Sequence, residues 1–123
     1  MRASQNESGF LTFLNGGSNT ITEGTRVKVT GVNTIDVAGA TDAAIGVAYE
    51  TIPVGGYGTV KLFSAPGTFL VTASGAISAG AQLYPAASGQ VAASGTTALN
   101  LVALETATAA GDKITATQIM KGA

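Results

Sequence analysis

The residues best placed to do chemistry in this chain are two carboxylates. Glu50 and Glu105 each end an apolar run, in Val47-Ala48-Tyr49-Glu50-Thr51 and Val102-Ala103-Leu104-Glu105-Thr106. Paired carboxylates can divide acid and base duties or hold a hard cation. The plainer role, which the sequence favours, is to finish a strand by meeting a nearby backbone N–H, Lys or Arg. A third role is a charged contact across a subunit interface. Most other chemistry is closed off. There is no His and no Cys, so Ser-His-Asp and Cys-His centres, thiolate metal sites and disulfides are excluded together. A Ser-Lys pair is formally open, but Lys28, Lys61, Lys113 and Lys121 sit in no Ser-containing motif and read as strand-surface lysines. Gly55-Gly56-Tyr57-Gly58 leads into a strand rather than a helix that could hold an anion, so it reads as a hairpin turn. Asp36, Asp42 and Asp112 lack calcium-loop spacing. The expectation is no enzyme, no cofactor and no metal.

The elements that carry these residues are strands. Arg26-Val27-Lys28-Val29-Thr30 alternates strictly, predicting Val27 and Val29 inward and Arg26, Lys28 and Thr30 outward. Further strands are expected over 34–38, 44–50, 59–63, 68–73 and 114–120. In the strand ending at Glu50 both parities are uncharged, so both faces are expected to be covered. Pro53 and the Ser64-Ala65-Pro66-Gly67 run mark turns. No stretch has a helical pattern. Short strands spaced by turns argue for a single all-β domain, a small β-barrel or sandwich.

The Val-Ala-x-Glu-Thr run occurs twice, and other matches keep the same order. Ile21 and Gly24 align with Ile77 and Gly80, Thr41 and Ala43 with Thr96 and Ala98, and Gly56 with Gly111. Two similar β-rich halves, roughly 20–63 and 76–119, are therefore predicted. Residues 1–19 stand outside that repeat. Their apolar island, Phe10-Leu11-Thr12-Phe13-Leu14, is cut off by Asn15-Gly16-Gly17 and reads as an extended N-terminal arm. Such an island is costly to leave in water. It either adds a strand to its own domain, 20–123, or docks on a neighbour.

Composition points to assembly. Only 11% of residues are charged, 46% are hydrophobic, 6% are aromatic and 17 are Gly. So few charges leave surface that partners would cover. A net charge of −1 supplies no field for nucleic acid. No apolar run is long enough to span a membrane, and the N-terminal residues do not read as a signal peptide. Asn6-Glu7-Ser8 then fits a glycosylation acceptor only by chance, and synthesis in a cytoplasm is expected.

One ordered set of motifs goes further. Ile45-Gly46-Val47-Ala48 is followed by Gly58-Thr59-Val60-Lys61-Leu62, Gly67-Thr68-Phe69, Gly80-Ala81-Gln82-Leu83-Tyr84, Gly89-Gln90-Val91 and Val102-Ala103-Leu104-Glu105. Over about residues 20–120 this order resembles the small capsid decoration, or cement, proteins that stabilise the heads of tailed bacteriophages. The resemblance implies a barrel or β-tulip body. It implies homotrimers seated on the exterior of a phage head, bound to the major capsid protein, in a virion assembled in the host cytoplasm. It supplies no catalytic residue. Phe10, Leu11, Phe13, Leu14, Tyr57, Glu50 and Glu105 are the candidate protein-interface residues. The alternative is a β-rich adhesion or carbohydrate-binding module of a phage tail or cell surface. With no Trp and 3 Tyr, the chain is poorly equipped to stack on sugars.

Overall fold

Alternation sets the strands, and a computed structural model describes residues 8–119. In order they are β1 Phe10–Asn15, β2 Arg26–Gly31, β3 Thr34–Val37, β4 Gly46–Ala48, β5 Tyr57–Leu62, β6 Thr68–Thr72, β7 Tyr84–Pro85, β8 Val91–Ala92, β9 Leu101–Ala103 and β10 Lys113–Gln118. One turn of 3-10 helix lies at Ala87–Gly89. The all-β expectation holds. Of the predicted closing strand 114–120, Met120 lies outside the described residues, as do Asn6 and Glu7.

The first half is a closed barrel in the order β1-β3-β2-β4-β5. β1 runs antiparallel to β5, with Leu14 opposite Tyr57, and parallel to β3, with Leu14 opposite Thr34. Phe13, Ile21, Val27, Ile35, Ile52 and Val60 fill its interior. Gly46 is what lets β4 lie so close to β5. A Cβ there would fall 2.2 Å from the Lys61 carbonyl oxygen.

Phe10–Asn15 is thus a barrel strand and not an extended arm. The physical reason is burial: Phe13 is 7% exposed, and Leu11 packs on the same core. Asn15-Gly16-Gly17, read from sequence as a break, is a built turn. Asn15 is buried, donates through Nδ2 to the carbonyls of Asn19 and Ile52, and accepts from the Gly17 N–H. A buried side-chain amide with its groups satisfied fixes the strand end.

The second half comprises the sheet β6-β10-β9 and the ribbon β7-β8, and its pairings follow the scheme of the first. Tyr84 faces Ala92 as Lys28 faces Asp36. Ile77 bridges Ala107 as Ile21 bridges Ile52, and Gln82 bridges Val102 as Arg26 pairs with Val47. The parallel Ala73–Val91 bridge stands where Asn15 pairs with Ile35. The scheme includes β1 and β6, which the residue matches from 20 and 76 onward leave out. Phe69, Val71, Leu83, Val91, Leu101 and Ile114 form the second core.

The halves pack directly on one another. Val47 points out of the first barrel yet is 2% exposed, because it joins the second core. Both faces of β4 are therefore covered, as its two uncharged parities predict.

Candidate functional site

Three cations join the halves, and the sequence does not single them out. Arg26 has the outward parity expected of it, but that side of β2 is covered by the 86–90 segment. Its relative exposure is 0%. Nε donates to the Gln90 carbonyl at 3.0 Å, and Nη2 donates to the Ala86 and Gly39 carbonyls at 2.7 and 3.4 Å. Nη1 has no partner among the described residues. Burial lowers the pKa of this guanidinium, and the charge of Asp42 opposes the shift. Lys61 reaches from β5 to the Thr68 carbonyl at 2.5 Å, its ammonium 4.6 Å from the Phe69 ring centroid and 5.7 Å from that of Phe10. Lys113 returns the contact, donating to the Glu23 carbonyl at 2.7 Å. Charge-assisted bonds to carbonyls are stronger than neutral ones, so these bonds hold the halves in one orientation. Val29, expected inward, is 51% exposed. It lies beside an irregular register at the end of β2, beyond the reach of the core.

The two carboxylates take the plainer role. Glu50 Oε2 accepts the Thr59 N–H at 2.8 Å, and Glu105 Oε1 accepts the Thr115 N–H at 2.8 Å and its hydroxyl at 2.7 Å. The Thr115 hydroxyl and then its N–H hold the Glu105 carboxyl below the usual range. Each ties the end of an organising strand to the closing strand of its own half. Neither lines the cleft of about 890 Å³ between the 40–44 and 95–100 loops. Among the described residues, no three or more His, Cys, Asp or Glu side chains gather to hold a metal, and no helix is long and apolar enough to cross a membrane.

What remains is exposed apolar surface on a rigid β body. Of the proposed island residues, Phe13 is buried in the barrel and Leu11, on the same parity, is half-buried against that core. Phe10 and Leu14 lie on the other parity, half-buried. Phe10 meets Tyr49 edge to face, ring centroids 5.0 Å apart. Tyr57 starts β5 and is 69% exposed. Tyr49 and Leu104, which occupy matching places before the two glutamates, are 57% and 49% exposed. The sequence does not mark either as exposed, because each lies in a run that reads as core.

The strands and their closed barrel define a small all-β protein. A family model described as phage cement protein matches residues 5–118. The chain belongs to the phage cement protein family, a family of structural phage proteins and not of enzymes, and is a capsid-associated protein of the phage head. No curated protein matches the sequence. Among solved structures, the "head fiber gp8.5 N base in bacteriophage phi29" is similar with a TM-score of 0.68 at 16% identity, over 91% of this chain and 99% of that one. That likeness is one of fold.

Proposed function

We propose that this protein binds the exterior of a phage head as a homotrimer and stabilises the lattice of the major capsid protein. The observation that carries the reading is the family match over residues 5–118. Surface chemistry supports it, because Tyr49, Tyr57 and Leu104 are exposed on a body with few charges. The head-fibre base of similar fold is itself a phage head component by its description. In this reading residues 20–123, with β1 added, form one decoration domain of two duplicated units, made in the host cytoplasm. Stabilisation is additive: each copy buries a modest interface, and many copies together resist expansion of the shell. Glu50 and Glu105 stiffen the body, and their exposed carboxylates stay among the candidate interface contacts.

Light scattering of the purified protein over a range of concentrations tests the assembly. A mass near three protomers is expected. A chain that remains monomeric in solution and on capsids contradicts the trimer.

A further inference from the structure

We infer that copies of this chain join head to tail, with the outer face of β1 and β5 of one copy docking on the Gly80 turn and β9 of the next. The inference rests on the trimer reading above and names its interface. It starts from a contact already made inside the chain. The outer face of β6 and β10 carries Leu70, Thr72 and Lys113, and it covers the Gly24 turn and β4 of the first half. A Cβ on Gly24 would meet Thr72 Oγ1 at 3.3 Å and Leu70 Cδ2 at 3.5 Å. The Thr72 hydroxyl donates to the Gly24 carbonyl, and Lys113 donates to that of Glu23. Val47, next to this contact on β4, is buried as well, against the second core.

Each side of that contact has a twin that no described residue covers. Gly80 repeats Gly24 in conformation, with φ of 89° against 85°. It also repeats its bond, the Gly80 N–H donating to Ala103 as the Gly24 N–H donates to Ala48. Yet a Cβ on Gly80 would meet none of the described residues within 4 Å. Beside it Val102, the twin of buried Val47, is only half-buried, and Leu104 is 49% exposed. On the other side, β1 and β5 stand as β6 and β10 do, with Leu14 opposite Tyr57 where Thr72 is opposite Lys113. Thr12, Leu14 and Tyr57 occupy the places of Leu70, Thr72 and Lys113. Thr12 is exposed and Tyr57 is 69% exposed.

The chain thus holds one complementary pair of faces that is joined and a second pair that is open. Open complementary faces on one chain form a heterologous contact, which closes into a ring when its rotation allows. This continues the contact between the halves into the next copy, with Tyr57 as the aromatic anchor in place of Lys113.

Tyr57→Glu and Leu104→Glu test this, since each alters one open face and neither residue lies in a core. Circular dichroism checks that both variants fold. In sedimentation, each is expected to associate about 100-fold more weakly than wild type, the scale of losing a central anchor. An equimolar mixture is expected to form a dimer and stop there, because each variant keeps the face the other lacks. A mixture that stays monomeric, or a variant that keeps the wild-type mass, overturns the interface while leaving the trimer reading intact. A wild type that stays monomeric both in solution and on capsids overturns both.

Discussion

Replacing Arg26 by Ala is the sharpest test of how the two halves are held together. The side chain is fully buried, so the substitution removes its whole volume as well as three hydrogen bonds. Two of these, at 2.7 and 3.0 Å, have good length; the third, at 3.4 Å, is marginal. A hydrogen bond to a charged group contributes about 1.5–3 kcal/mol, so the two good ones give roughly 3–6 kcal/mol. Relief from burying a cation with one unpartnered nitrogen offsets a part of that. The net expectation is a loss of about 2–4 kcal/mol. For a chain of this length 1 kcal/mol corresponds to about 4 °C in Tm, so a drop of roughly 8–16 °C is expected. Arg26→Met keeps the apolar stem volume, removes the charge, and is expected to cost about half as much. Urea and thermal melts of both variants measure this, with an unchanged m value showing that the two halves still unfold together. A loss below about 1 kcal/mol for Arg26→Ala would refute the claim that these bonds hold the halves together.

The acid limb of stability should follow the carboxylates. The hydrogen bonds of Glu105 to Thr115, and of Asp112 to the N–H groups of Thr108 and Ala109, lower both folded pKa values below the ordinary 4.5 and 3.8. The stability they give is complete above those ordinary values and is lost as pH falls through the lower folded ones. Glu105→Gln is expected to flatten the stability profile below pH 4.5, measured by urea melts across acidic pH; an unaltered slope contradicts the assignment. Gly46→Ala places a methyl 2.2 Å from the Lys61 carbonyl oxygen, and is expected to cost about 1–3 kcal/mol or more. Gly75→Ala, where a Cβ meets none of the described residues within 4 Å, is expected to be neutral or slightly stabilising. Thermal melts of the pair separate overpacking from the general effect of losing a glycine.

Much of the fold was legible because its signals are local. Val27 and Ile114 alternate with polar neighbours, and the Pro and Gly turns separate the strands. The paired Ile-x-x-Gly and Val-Ala-x-Glu-Thr runs gave the two-part plan, and Glu50 and Glu105 gave their strand-end role. What was missed depends on contacts between halves. Nothing near Arg26 in sequence says that its outward side will lie beneath residues 86–90. Phe10–Asn15 read as an arm because the repeat was traced through residue matches, and β1 and β6 match in pairing rather than in residues. Tyr49 and Leu104 were hidden for a related reason. Each continues an apolar strand whose buried part ends one residue earlier, and only the geometry of the barrel shows where the cover stops.

The most direct test of the central claim uses heads of the phage that encodes this chain, prepared without it. Purified protein is added, binding is followed by co-sedimentation, and thermal disruption of the heads is followed with a DNA-binding dye. The account predicts saturable binding in multiples of three copies and a higher disruption temperature for decorated heads. Heads that bind none of the protein, or that bind it and come apart at an unchanged temperature, would contradict it.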